Sequence, residues 1–169
     1  PRPLIGFVGG LSQWVDLELM AYLARARPSW SFALIGPVTI DTRPVQERPN
    51  VHVLGPRPYA TVPSFLAAMD VALIPFRQER VTFHADPIKA YEYLAAGLPV
   101  VATDLPALRR IAHVLRLAST PEAFLAEIDA AVAEGKQARR LERQAEARQH
   151  DWRARFDEFD ELLRRVCGA

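Results

Sequence analysis

The chain has 169 residues, enough for one domain with a substantial core. Half of the residues are hydrophobic and 24% are charged, as in ordinary globular proteins, and a formal net charge of +1 provides no electrostatic basis for binding nucleic acid. No apolar run approaches the roughly 20 residues of a membrane span, which argues against a transmembrane segment.

Cysteine and histidine usage argues against two kinds of site. Cys167 is the only cysteine, so no intramolecular disulfide can form, which fits a reducing cytosol and a cytoplasmic protein. His52, His113 and His150 lack the spacing of metal ligands. No signal-peptide pattern is seen, and a start at residues 1–3 without Met is expected of a fragment cut at a linker.

Strands and helices alternate through residues 1–134. Short apolar runs predict strands, and apolar side chains at helical spacing predict helices. Segments 37–49 and 76–85, which are proline-rich or polar, are predicted to be loops. In chain order the predicted elements are strand 4–8, helix 16–27, strand 30–36, strand 51–55, helix 61–69, strand 71–75, helix 87–96, strand 100–102, helix 105–111, strand 114–117 and helix 120–134.

This alternation predicts an α/β fold, a Rossmann-like doubly wound parallel sheet of about six strands with helices on both faces. In such sheets, ligands bind at the carboxyl ends of the strands, near the point where the strand order reverses. The predicted loops at 9–16, after Gly36, at 55–59 and at 76–89 all lie at that edge.

Residues 135–169 differ from the α/β core at 1–134 and are predicted to form C-terminal helices. Gly135 breaks the preceding helix, and Asp151 divides the remainder. Apolar side chains recur there at steps of three and four, which predicts an amphipathic stripe used for packing. Its members are Leu141, Ala145, Trp152, Phe156, Phe159, Leu163 and Val166.

Segment 86–103 is predicted to be a helix that runs into a buried strand. Asp86 can cap the helix, Pro87 suits its first turn, and Gly97 can end it in a left-handed conformation. One face of the helix is expected to pack on the sheet through Ile88, Tyr91 and Ala95.

Lys89 and Glu92 share another face of this helix because they are three residues apart. One interpretation is a surface ion pair, which would stabilise the protein by under roughly 1 kcal/mol. The other is contact with a ligand, which gains weight because the helix starts at the ligand-binding edge.

Five segments together carry a resemblance that runs from residue 4 to 117. The chain resembles the C-terminal, donor-binding domain of a retaining GT-B glycosyltransferase of the group 1, GT4-like family. The segments are Gly9-Gly10-Leu11, Leu34-Ile35-Gly36-Pro37, Val51-His52-Val53-Leu54-Gly55, Asp70-Val71-Ala72-Leu73-Ile74-Pro75-Phe76 and the block 89–103, which has the pattern K-x-x-E-x-x-A-x-G-x-P-V-V-A-T.

The resemblance implies one half of a two-domain enzyme that transfers a sugar from a UDP- or GDP-sugar to a glycan, lipid or polysaccharide, as in cell-envelope polysaccharide biosynthesis. It implies retention of anomeric configuration, with neither a metal nor a cofactor. The acceptor would be held mainly by an N-terminal domain absent from this chain, so the isolated domain is expected to be inactive. The full enzyme would be cytoplasmic, with possible peripheral association at the inner face of the membrane.

By the same resemblance, Glu92 matches the last glutamate of the family's E-x7-E motif, which binds the ribose hydroxyls. A carboxylate accepts two hydroxyls well. The amides of Ile88 and Lys89 at the helix start would face a phosphate, which the helix dipole favours. The first glutamate of the motif falls at His84, so His84 and Asp86 are the candidates for its contact with the donor sugar.

The glycine loop lacks the Arg and Lys that typically follow it in the family. The diphosphate charge would then be met by the amides of Gly9 and Gly10, or by Lys89, Arg77 or Arg80. The nucleobase would lie against the loop after the third strand, where Arg57 and Tyr59 are the candidates.

Two other functions stay open on the sequence. A GT-B nucleotide-sugar epimerase would share this domain, although more acids and bases are expected in its cleft. A doubly wound module that binds a nucleotide or a protein without catalysis would share the fold alone.

Overall fold

The structure is a computed structural model that describes residues 1–167, apart from the side chains of Arg155 and Glu158. Its centre is a parallel six-stranded sheet with the strand order β3-β2-β1-β4-β5-β6. The strands are β1 (Leu4–Val8), β2 (Ser31–Ile35), β3 (Val51–Gly55), β4 (Val71–Ile74), β5 (Val100–Thr103) and β6 (Arg116–Ala118). The predicted Rossmann-like, doubly wound sheet is confirmed.

Helices cover both faces of the sheet. One face carries α1, with α2 and α7 packed beside it, and the other carries α3 and α5, with α8 packed on α5. The helices are α1 (Leu17–Ala26), α2 (Arg43–Gln46), α3 (Val62–Ala68), α4 (Arg80–Phe83), α5 (Ile88–Ala95), α6 (Pro106–Arg109), α7 (Pro121–Glu134), α8 (Arg140–Gln149) and α9 (Trp152–Cys167).

The short helices α2 and α4 lie in segments predicted to be loops, so those predictions were wrong in detail. Each is a single turn built around one buried side chain. In α2 that side chain is Val45, and in α4 it is Thr82. The Thr82 hydroxyl accepts the Glu79 N–H at 2.9 Å and donates to the Arg77 carbonyl, so the turn is held by polar contacts rather than by apolar periodicity.

The strand order reverses between β1 and β4. The chain crosses from β1 to β2 and β3 on one side and returns to β4, β5 and β6 on the other. In doubly wound sheets such a reversal point is where ligands bind, and Lys89 of α5 lies beside Gly9 there. β2, β4 and β5 are buried along their whole length, because helices cover both of their faces.

Gly97 ends α5 as predicted. It has φ 76°, its N–H donates to the Leu94 carbonyl at 2.8 Å, and the Leu98 N–H donates to the Tyr93 carbonyl at 3.0 Å. This pair of bonds is a Schellman motif, which only a residue that tolerates positive φ completes without strain. The chain then turns directly into β5.

The predicted sheet-facing side of α5 was wrong. Ala90, Tyr93 and Leu94 are the buried residues that face the sheet, whereas Ile88 is 50% exposed and Ala95 is exposed. Tyr91 is buried on the α8 side, where its ring centroid lies 4.9 Å from that of His150. The helix is therefore rotated relative to the prediction, because α8 covers a second face that the sequence pattern did not distinguish from the sheet.

In α8 the buried positions are Arg143 and Ala147, whereas the predicted Leu141 and Ala145 are both exposed. Arg143 donates to the Gly97 carbonyl at 3.1 Å, to the Lys136 carbonyl at 2.9 Å and to the Ala138 carbonyl. The buried face of α8 thus lies outside the predicted stripe and carries a guanidinium, since that group can satisfy several carbonyls at once.

Within residues 1–167, the α9 part of the predicted stripe is exposed. Trp152, Phe156, Phe159, Leu163 and Val166 are all exposed, and Leu162 with them. The Arg164–Asp160 ion pair at 2.7 Å and the Arg165–Glu161 pair lie along the same helix. Within residues 1–167, no helix has both the length and the apolar composition needed to cross a membrane.

Arg143 offers a test of how α8 is attached to the core. We expect Arg143→Met to lower the free energy of unfolding by about 3 kcal/mol, because it removes one partner of the Glu134 ion pair and leaves carbonyls unpaired. Chemical denaturation measures the change. Arg148→Met, an exposed site on the same helix, should change it by less than about 0.5 kcal/mol, and equal effects of the two variants would contradict the attachment.

Candidate functional site

Glycines join the carboxyl ends of the first three strands. The Gly9 N–H donates to the Ile35 carbonyl at 2.8 Å, and the Gly36 N–H donates to the Gly55 carbonyl at 3.0 Å. Gly36 has φ 143°, and a Cβ built on it would lie 2.0 Å from the Gly9 carbonyl oxygen. The strand ends therefore contact each other through the main chain of glycines. The absence of a Cβ at these glycines lets a ligand approach the backbone.

Lys89 extends from α5 onto the glycine loop. Its Cε would lie 2.8 Å from a Cβ on Gly9, and its Nζ lies 5.6 Å from the ring centroid of Phe7 and 5.5 Å from that of Phe76. Burial lowers the pKa of the Lys89 ammonium, and the charge of Glu92 opposes that shift. The structure thus places a desolvated cation at the reversal point of the sheet.

Lys89 and Glu92 do not form the surface ion pair that was one of the two interpretations. No ion pair joins them in the described part of the chain, because Lys89 points to the Gly9 loop and Glu92 lines a groove on the other side of the helix start. Lys89 and Glu92 therefore face different surfaces at the carboxyl edge of the sheet.

Tyr93 holds the end of β1 against α5. Its buried hydroxyl accepts the Val8 N–H at 2.8 Å and donates to the Val8 carbonyl at 3.0 Å. Burial raises the pKa of the Tyr93 hydroxyl well above its usual value, so it remains a donor. Because Val8 directly precedes Gly9, this pair of bonds fixes the glycine loop relative to Lys89.

A groove of about 440 Å³ lies beside Glu92. Its size falls within the roughly 300–1,000 Å³ of small-molecule pockets. The groove brings together four of the predicted site residues, Tyr59, Asp86, Ile88 and Glu92, and it is completed by residues that sequence reasoning missed. Those are Tyr91 and Ala95 from α5, and Ala147, His150, Asp151 and Trp152 from the α8–α9 junction.

Asp86 does not cap α5, so that prediction was wrong. The N-cap is Pro87, and no side chain within residues 1–167 caps the helix. Asp86 instead accepts from Arg110 at 2.5 Å and from the Tyr91 hydroxyl at 3.1 Å. Its negative charge, one residue before the N-cap, is therefore paired with a guanidinium rather than bound to the helix amides.

Other predicted site residues are not brought into the groove. His84 lies across the helix start in a separate pocket of about 420 Å³ with Arg80. Gly10 and Arg57 are exposed and line neither pocket. Gly10 has open space around it, with no atom within 4 Å of a built Cβ, whereas Gly9 is in contact with Lys89.

Two residues of the candidate site that sequence reasoning missed, Tyr93 and Arg110, contact residues far away in the sequence. Tyr93 contacts Val8, which is 85 residues away in sequence, and Arg110 contacts Asp86, which is 24 residues away. No local spacing signals either pair. Within residues 1–167, no group of three or more His, Cys, Asp or Glu side chains is placed to hold a metal ion.

Fold and geometry together define a doubly wound α/β domain in which Lys89 lies on the glycine loop at the carboxyl edge of the sheet. Comparison with known proteins then identifies the family. A family model described as "Glycosyl transferases group 1" matches residues 2–134. The chain therefore belongs to the group 1 glycosyltransferases, as the resemblance had indicated.

Individual relatives agree with this assignment. The chain is 30% identical over 112 residues to the Bacillus subtilis (strain 168) protein named "Putative teichuronic acid biosynthesis glycosyltransferase TuaH", and the match covers 64% of this chain and 28% of that protein. Sucrose-phosphate synthase from Thermosynechococcus elongatus superposes with a TM-score of 0.79 at 20% identity, covering 99% of this chain and 46% of that one.

A third relative is Anabaena Alr3699/HepE, whose structure is a complex with UDP and glucose. It gives a TM-score of 0.73 at 21% identity and covers 96% of this chain and 48% of that one. These superpositions confirm the Rossmann-like α/β fold. The chain spans less than half the length of each of these three relatives.

The contact between Tyr93 and Val8 can be tested by removing one oxygen. We expect Tyr93→Phe to lower the free energy of unfolding by about 1–3 kcal/mol, because the N–H and carbonyl of Val8 both lose their side-chain partner. Thermal or denaturant unfolding measures this. Tyr22→Phe is the matched control, since no hydrogen bond involves the Tyr22 hydroxyl in the described part of the chain; a similar loss in both would contradict the role of Tyr93.

Proposed function

We propose that this chain is the donor-binding half of a retaining glycosyltransferase that uses a nucleotide-diphosphate sugar. The observation that carries the proposal is the arrangement around the start of α5. Lys89 meets the glycine loop on one side of that start, and Glu92 lines a groove on the other. A cation and a carboxylate on successive turns match the phosphates and the ribose of one nucleotide.

In this proposal, the diphosphate binds between the glycine loop and α5. Lys89 and the amides of Gly10 and Ile88 would meet its negative charge, helped by the helix dipole. The Gly9 amide, predicted for the same role, is already bound to the Ile35 carbonyl. Since Asp86 is paired with Arg110, it does not repel the phosphates from the helix start. No resident cofactor is required for this role.

Glu92 would accept hydrogen bonds from the ribose hydroxyls in the groove. Tyr59 lines the same groove and is 80% exposed, so its ring is available to stack on a nucleobase; Arg57 lies in the same loop. The catalytic task of this half would be electrostatic. As the glycosidic bond to the donor breaks, negative charge develops on the diphosphate, and Lys89 with the nearby amides would stabilise it.

We further propose that a second, N-terminal domain holds the acceptor and covers the apolar face of α9. This chain spans less than half the length of each reported relative, and α9 exposes several large apolar side chains in succession. Residues 1–134 would then be the nucleotide-binding core, with 135–169 as the helices that lead back to the other domain. A face of this size in a single helix favours a protein partner.

The proposed acceptor class is a cell-envelope glycan, lipid or polysaccharide, in a cytoplasmic enzyme that works at the inner face of the membrane. The name of the TuaH relative, which refers to teichuronic acid biosynthesis, supports the envelope assignment. The complex of Alr3699/HepE with UDP and glucose supports a UDP-linked donor, with a GDP-linked one as the alternative.

Calorimetric titration of the chain with UDP, GDP and ADP tests the nucleotide site. We expect one of them to bind, and Glu92→Ala to weaken that binding about tenfold or more, the scale of one charged hydrogen-bond contact. Glu122→Ala on α7 is the matched control and should leave binding unchanged. A folded chain that binds none of the three would favour a module without a nucleotide function.

Turnover provides a separate test of the two-domain proposal. We expect the isolated chain to release no sugar from UDP- or GDP-sugars onto simple glycoside acceptors, because the catalytic cleft lies between two domains. Radiolabelled sugar transfer measures this. Transfer at a rate that depends on Glu92 would overturn the need for the second domain, and formation of an epimerised donor would assign the chain to the epimerases.

A further inference from the structure

The pocket that contains His84 lies beside the proposed nucleotide site but is separate from it. Its volume is about 420 Å³, and it shares no lining residue with the groove around Glu92. The segment that forms most of it runs from Phe76, whose ring lies against the Lys89 ammonium, to the start of α5. The pocket therefore adjoins the place where the diphosphate would end. Its lining residues are Gln78, Glu79, Arg80, Phe83, His84, Asp104 and Arg109.

This pocket is built on a fixed turn rather than on a loose loop. Thr82, which is 2% exposed, accepts the Glu79 N–H and donates to the Arg77 carbonyl. The Glu79 carboxylate in turn accepts the backbone N–H of Thr82, which completes a capping box at the start of α4. The side chains of Arg80 and His84 are thus presented from a turn that is held at both ends.

The two acidic side chains of the pocket already have partners. Asp104 accepts from Arg109 Nε at 2.8 Å and from Arg109 Nη2 at 2.9 Å. The hydrogen bonds from Arg109 lower the pKa of Asp104, so this carboxylate stays ionised and bound to the arginine. Glu79 is engaged in the capping box.

The basic side chains keep free capacity. Among residues 1–167, no hydrogen bond or ion pair engages the Arg80 guanidinium, which is exposed in the pocket. Arg109 uses Nε and Nη2 for Asp104 and leaves Nη1 available. The Gln78 amide already donates to the Asp104 carbonyl at 3.4 Å, and the His84 ring adds a nitrogen. Arg80 is therefore the guanidinium of this pocket that has its full set of donors available for an anionic group.

We propose that this pocket binds the carboxylate of an acidic donor sugar, with Arg80 as the residue that selects it. This inference rests on the proposed nucleotide-sugar function and names the class of sugar. Arg80 contacts the carboxylate, His84 and Gln78 contact it or the neighbouring hydroxyls, and Arg109 closes the far side. Lys89 remains with the diphosphate, so the charge on the sugar and the charge on the phosphates are met by different cations.

Paired donors that differ only in a carboxylate test this assignment. The chain is titrated with UDP, UDP-glucose and UDP-glucuronate, or with GDP, GDP-mannose and GDP-mannuronate if GDP is the nucleotide that binds. We expect the uronate donor to bind about tenfold tighter than its neutral counterpart, the scale of one charged hydrogen-bond contact. Arg80→Ala should reduce that ratio to about one.

Arg148→Ala, an exposed arginine on α8 outside both pockets, is the matched control and should keep the preference. Equal affinity for the neutral and acidic donors, or a preference that survives Arg80→Ala, overturns the assignment. Binding of free glucuronate to the UDP-loaded chain, without a preference between the donors, would move the carboxylate to the acceptor and also overturns it. Loss of binding of every nucleotide would instead count against the proposed function itself.

Discussion

The pair of hydrogen bonds between the Tyr93 hydroxyl and Val8 is the contact on which the geometry of the site depends. It ties the carboxyl end of β1 to the middle of α5. The pair is buried and engages both the N–H and the carbonyl of Val8. It therefore leaves little freedom to either β1 or α5. The glycine loop that follows Val8 and the Lys89 side chain on α5 are thereby held in a fixed position relative to each other.

The C-terminal end of α5 is also held by a buried side-chain contact. Arg143 from α8 donates to the carbonyl of Gly97, at the residue where the helix turns into β5. The guanidinium also meets Glu134, which Arg116 contacts at 2.6 Å. Burial of this arginine is tolerable because carbonyls and a carboxylate surround it. A helix anchored at both ends can carry Lys89 and Glu92 as fixed rather than mobile charges.

The charged side chains around the candidate site differ in their burial and in their ion pairing. Lys89 lies close to two aromatic rings, and burial lowers the pKa of its ammonium. Asp86 is paired with Arg110. Arg80, across the helix start, has no partner among residues 1–167. These differences arise from burial and pairing, not from the residue types alone.

The sequence by itself determined the α/β class and the parallel doubly wound sheet. Those features follow from local patterns, namely apolar runs, helical spacing and the Gly97 turn, which need no distant partner to be recognised. The tertiary structure alone decided which face of α5 meets the sheet, that Asp86 pairs with Arg110, and that Arg143 is buried while Leu141 is not. Each of these depends on contacts between residues far apart in sequence, and a local pattern carries no information about them.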